Sequence, residues 1–131
     1  MEALTNRNFA GLAEKVIKSM IQQDKYGNSR IPMTTSKIRN LLTMTNAVYD
    51  QARLVKGETL DEGLLHDIQY LKMRFAYEAG REPDTVKPFV DKAAIMEHID
   101  RIGNSRAALL LFCNYIESLV AYHRFYGGKD R

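Results

Sequence analysis

The segment Thr34-Thr35-Ser36-Lys37-Ile38-Arg39 packs three hydroxyls, an ammonium and a guanidinium into six consecutive residues. At the start of a helix such a group can hold an anion. The first backbone N–H groups lack intrahelical acceptors, and the helix dipole puts positive potential at that end. Asn46 and Arg53 follow Arg39 at seven-residue steps. On a helix all three fall on one polar stripe, roughly 20 Å long at about 1.5 Å per residue. The chemistry implied is phosphate contact. The same residues would equally serve as an N-cap followed by an ordinary solvated face.

A second constellation is aromatic and basic. Tyr70, Met73 and Tyr77 stand opposite a Leu/Ile/Phe stripe, flanked by Lys72, Arg74 and Arg81. Tyr122, Phe125 and Tyr126, with Arg124 and Lys129, repeat the theme near the end of the chain. Such a face either packs on a partner protein or offers rings for unpaired bases, at ~1–3 kcal/mol per stacked base. Gly127-Gly128 is expected to leave the terminal group free to adapt.

Nucleophilic, acid–base and metal chemistry find little support. His66, His98 and His123 fall on three different helical segments, outside any His-Glu-x-x-His or Cys/His ligand spacing. His98 and Asp100 point to nearly opposite sides of a helix turn. His123 lies on the inner face of its helix, where a hydrogen-bonded core histidine is expected. Its alternative role is a metal-independent ribonuclease centre with Tyr122 or Lys129. Asp61-Glu62 suits a helix start better than a catalytic pair. The expectation is no catalytic residue, no metal and no cofactor.

Helices must position these groups. Leu12, Val16, Ile17 and Met20 mark a first helix from about Asn8 to Tyr26, with Gly27 as a left-handed stop. A loop follows, and Thr34 or Thr35 can cap a second helix that buries Ile38, Leu41, Leu42, Thr45, Val48, Tyr49 and Ala52. That helix ends at Lys56-Gly57-Glu58. The third begins near Leu60-Asp61-Glu62, buries Leu64, Leu65, Ile68, Leu71, Phe75 and Ala79, and stops at Gly80. Glu82-Pro83 blocks continuation. Asp84 can cap a fourth helix ending at Gly103, and Asn104 or Ser105 caps a fifth that runs to about Tyr126. Apolar residues surround most of that last helix, so other helices must wrap it. No alternation of β-branched residues announces a strand. The fold class is all-α, a bundle of about five helices in a single domain over 1–131.

Net charge is +3, too mild by itself to imply a polyanion partner. Its distribution matters more. From Lys25 to Lys56 six basic residues meet only Asp50, a surplus of five, while the rest of the chain carries a deficit of two. Clustering of this kind is what a polyanion-binding face requires. Cys113 is the lone cysteine, so no intrachain disulfide can form, and its apolar neighbours mark it as a small buried hydrophobe. No apolar run reaches the ~18 residues of a membrane span, and the start lacks a signal-peptide pattern. A cytoplasmic protein is expected.

Several stretches together resemble a known family. They are Leu4-Thr5, Thr34-Thr35-Ser36-Lys37-Ile38-Arg39, Ile68-Gln69-Tyr70-Leu71, Arg74-Phe75, Tyr77-Glu78-Ala79-Gly80-Arg81, Leu111-Phe112-Cys113 and the run from Leu119 to Lys129. Their order and spacing are similar to those of the small helical subunit of type III-A CRISPR (Csm) effector complexes, over almost the whole chain. The resemblance implies an all-helical, non-catalytic subunit of an antiviral ribonucleoprotein. Its implied partners are CRISPR RNA, target RNA, other Csm subunits and neighbouring copies of itself, stacked head to tail. It implies an RNA-facing role for Lys37 and Arg39, and next for Lys72, Arg74 and Arg81. Arg53 joins them from its place on the polar stripe. Val55 to Gly63 and the first ten residues match the family pattern poorly, so Lys56 and Arg7 receive no role. The competing expectation is a helical protein–protein adaptor that never touches RNA.

Overall fold

A computed structural model describes residues 1–128. Among them the chain forms α1 (Phe9–Ser19), a hairpin of β1 (Gln22–Gln23) and β2 (Ser29–Arg30), then α2 (Thr35–Leu54), α3 (Glu62–Arg81), α4 (Val86–Lys92), α5 (Ile95–Asp100) and α6 (Arg106–Phe125). The class is all-α, as the apolar periodicity requires.

The three long helices each start on a side-chain oxygen that satisfies an otherwise orphaned amide. Thr34 Oγ1 accepts from the Lys37 N–H at 3.3 Å, Asp61 Oδ1 from Leu64 at 2.8 Å, and Ser105 Oγ from Ala108 at 3.1 Å. Helix α6 is the hub, packed between α1 and α2 and touching α5, while α3 packs on α2, α4 and α5. Phe75 of α3 meets Phe112 of α6 edge to face at 6.5 Å, which ties the two groups of helices together. Both rings are fully buried. Removing each such side chain from water contributes about 1.5–3 kcal/mol.

Helices α2 and α6 run antiparallel. The Arg106 guanidinium, at the start of α6, donates to the carbonyls of Ala52 (3.0 Å) and Arg53 (3.3 Å) at the end of α2. At the other end, His123 reaches Met33, just before α2. These clamps fix the register of the two helices that carry most of the candidate site.

Three expectations about the elements are corrected. The first helix stops at Ser19, not Tyr26, and residues 22–30 form a hairpin where no strand was expected. Asp24 explains this. Its Oδ1 accepts from the amides of Tyr26 (2.8 Å) and Asn28 (3.0 Å), and Gly27 adopts a left-handed φ of +82°. Gly27 therefore serves a hairpin turn rather than a helix end. The expected fourth helix is two helices, so the bundle of about five has six among the described residues. Ala94 breaks it with φ +53°, and the neighbouring Ala93 carbonyl accepts from Tyr115 Oη at 2.7 Å. Thr85, not Asp84, is the residue at the start of α4, and it makes no side-chain cap bond.

Candidate nucleic-acid interface

The polar stripe of α2 stands as its spacing requires. Arg39, Asn46 and Arg53 are all exposed, on a helix unbroken from Thr35 to Leu54. Among the described residues Arg39 has no hydrogen-bond or ion-pair partner. The Arg53 guanidinium lies over the Tyr49 ring at 5.7 Å, held by a cation–π contact instead of a carboxylate. Arg74 is also exposed, with no such partner among the described residues. It faces another way, into a cleft of about 560 Å³ between α2 and α3 that also contains Asn40, Asp67 and Tyr70.

The other three candidates are tied to carboxylates. Lys37 Nζ lies 3.4 Å from Glu82 Oε2 and donates to Thr85 Oγ1 at 3.1 Å, with its side chain 32% exposed. It stitches the start of α2 to the α3–α4 connection. Lys72 donates to Asp100 at 2.5 Å, bridging α3 to α5. Arg81 donates to Glu78 at 2.7 Å and lies over the Tyr77 ring at 5.9 Å. Glu78 is buried, so Arg81 supplies the charge that makes its burial tolerable. The pairing with Glu78 also holds the Arg81 pKa above its ordinary value.

The second face of α3 is exposed. Tyr70, Met73 and Tyr77 are 52%, 55% and 65% accessible, opposite the buried Leu64, Ile68, Leu71 and Phe75. The terminal aromatic group is more closed. Tyr126 Oη donates to Glu14 of α1 at 2.5 Å, and Tyr122, Phe125 and Tyr126 form one ring cluster. Phe125 alone of the three is strongly exposed.

The expected freedom of Gly127-Gly128 is overturned. The Gly128 amide donates to the His123 carbonyl at 2.8 Å and the Gly127 amide to Arg124 at 3.1 Å, a Schellman closure with Gly127 at φ +91°. Gly128 is buried, and a Cβ there would fall on the His123 imidazole. This end of α6 is fixed. Lys129 lies outside the described residues.

His123 is a core histidine, 1% exposed. A carbonyl only accepts, so Nε2 carries the proton and donates to the Met33 carbonyl at 2.5 Å. The Nδ1–Cε1 edge lies against Gly128. Held this way, the ring is not offered to a substrate. His66 is exposed beside Asp67 and stacks on Tyr70, whereas His98 is buried against Tyr115. Among the described residues no group of three His, Cys, Asp or Glu side chains could hold a metal. Cys113 is buried, and burial pushes its thiol up to about 12, which leaves it unreactive.

One juxtaposition is absent from the sequence reading, which grouped Arg124 with the aromatic tip. The antiparallel packing of α2 and α6 instead sets Arg124 across a cleft of about 330 Å³ from Arg39, with Thr35 and His123 in its walls. The two basic motifs at opposite ends of the chain thus meet at one end of the bundle. No local signal could have found this, because it depends on helix pairing over more than eighty residues of sequence.

A model of the Csm2 type III-A family matches residues 7–129. The CRISPR system Cms protein Csm2 of Streptococcus thermophilus is 43% identical over 130 residues, covering 99% of this chain and 100% of the relative. Its namesake from Mycobacterium tuberculosis is 42% identical over 99 residues, covering 76% and 79%. That from Enterococcus italicus is 42% identical over 100 residues, covering 75% and 71%.

Proposed function

The chain belongs to the Csm2 type III-A family, and we propose that it is a non-catalytic, RNA-binding subunit of a type III-A CRISPR ribonucleoprotein complex in the cytoplasm. Membership supports a place in the complex. The RNA reading is carried by Arg39 and Arg53, two exposed guanidinia on one stripe of α2, neither neutralised by a carboxylate among the described residues. Contact with the guide–target backbone would be independent of sequence, as a subunit that must accept any guide requires.

The six candidate cations divide by cost. Arg39, Arg53 and Arg74 can meet a phosphate without leaving a carboxylate of the described residues, Arg53 resting only on the Tyr49 ring. Lys37, Lys72 and Arg81 would first have to leave Glu82, Asp100 and Glu78. We assign the first three to RNA, and to the second three a mainly structural role with RNA contact subsidiary. The exposed Tyr70, Met73 and Tyr77 face supports contact with a neighbouring copy or another subunit.

Gel-shift titration with single-stranded RNA tests the assignment. Arg39→Gln and Arg53→Gln should each weaken binding several-fold with an unchanged melt, and Lys72→Gln should weaken it less. The adaptor reading, in which this face meets only protein, would prevail if the chain showed no salt-dependent RNA binding either alone or with its partner subunits.

A further inference from the structure

The cleft between the start of α2 and the last turns of α6 combines three features that have no internal explanation. Arg39 and Arg124 both line it, and among the described residues neither has an ion-pair or hydrogen-bond partner. Among the described residues no carboxylate lines it; the remaining walls are Thr35, His123 and the apolar Ile38, Val120 and Ala121. Thr35 is only 7% exposed, and its Oγ1 has no hydrogen-bond partner. Buried hydroxyls are ordinarily satisfied, because leaving one unpaired sacrifices its hydration for nothing. Two guanidinia sharing a partly apolar cleft without a counter-charge are also unfavourable. A single anion would relieve both.

We propose that this cleft is a phosphate site, in which Arg39 and Arg124 grip one phosphate group between them and the Thr35 hydroxyl donates to it. Thr35 is the first residue of a 20-residue helix, so the dipole of α2 adds to the attraction. Guanidinium forks match tetrahedral oxyanions with paired N–H donors, which favours phosphate over a compact halide. His123 is a positioning residue here. Its bond to Met33 and its packing against Gly128 hold the end of α6 against the start of α2, which fixes the spacing of the two arginines. The phosphate belongs either to an RNA backbone or to a free phosphate. The inference rests on the RNA reading for the first source only, not for the site itself.

Inorganic phosphate titrated into the full chain, followed through the amide resonances of Thr35, Arg39 and Arg124, tests the site directly. Saturable shifts are expected, weakened at least roughly tenfold by Arg124→Gln, since hydrogen bonds to charged groups are worth that much or more. Thr35→Val should weaken them severalfold while the melting temperature holds or rises, because the lost hydroxyl had no protein partner. Absent shifts, or shifts indifferent to Arg124→Gln, would overturn the site.

A second arm measures RNA affinity against salt. With one phosphate shared, the remaining arginine still neutralises it in part. Arg39→Gln and Arg124→Gln should therefore each shallow the slope by less than about 0.7, the single-strand value for one phosphate, and the double variant by about 0.7. Twice that loss would mean two separate phosphates and would refute the shared grip. Phosphate binding without RNA binding would uphold the site and remove the RNA reading. RNA binding whose slope ignores both substitutions would do the reverse.

Discussion

Lys37 and Arg39 stand two residues apart in one motif, yet the fold gives them opposite fates. The ammonium of Lys37 is turned inward to Glu82 and Thr85, whereas the Arg39 guanidinium, at the mouth of a cleft, has no partner among the described residues. The motif was legible in the sequence as a helix start with cations, but this division was not. Glu82 lies 45 residues away and Asp100 lies 28 residues from Lys72, so tertiary packing alone selects which cations are neutralised. The Glu78–Arg81 pair is an i,i+3 neighbour pair and could have been read directly.

His98 carries a separate consequence at this scale. Its ring is buried edge-on against Tyr115 at 5.0 Å. Burial, then Arg101 and the N-terminal amine, hold its pKa below the ordinary 6.5, against an opposing pull from Glu97. The unfolded chain therefore takes up the proton first as pH falls. Stability is complete above the unfolded value and declines on acidification until the folded form is protonated as well. The melting temperature should drop as pH falls from about 7 to about 5. His98→Gln should flatten that drop. Superimposable profiles would remove His98 as the cause.

Among the elements, α2, α3 and α6 were legible because apolar residues recur at helical spacing for five turns and an oxygen-bearing side chain begins each. The hairpin was hidden because each strand has only two residues, all of them exposed and polar. Asp24 was visible, but its double acceptance from Tyr26 and Asn28 is a loop conformation rather than a periodic pattern. The division of α4 from α5 was hidden more deeply, since Ala94 is a good helix former. The break lets Phe89 and Val90 on one side, and Ile95 and Ile99 on the other, all reach the core. An L-residue in the left-handed region costs about 1–2 kcal/mol, which glycine avoids. Ala94→Gly should therefore stabilise the protein by roughly 0.5–1 kcal/mol after the extra chain entropy of glycine, read as a rise of a few degrees in the melting temperature. A fall of that size would mean that the break is held by something other than backbone strain.

For the whole molecule, the modest charge of +3 is compatible with the proposed RNA role, because that role rests on local cations rather than on the total field. Unpaired guanidinia are presented by helices whose ends are clamped: Arg106 closes α2 at one end, and His123 with Gly128 fixes α6 at the other. In the proposed role, copies repeated along an RNA would each need few contacts, since the assembly would supply avidity. Backbone neutralisation has a signature that no protein–protein surface shares: affinity falls with salt by a fixed amount per phosphate and ignores base sequence. The decisive measurement is the slope of log affinity against log salt for the full chain with two single-stranded RNAs of unrelated sequence. The account predicts equal affinities and the same negative slope, about 0.7 per phosphate engaged by the arginines. A flat slope, or binding confined to one of the two sequences, would contradict it.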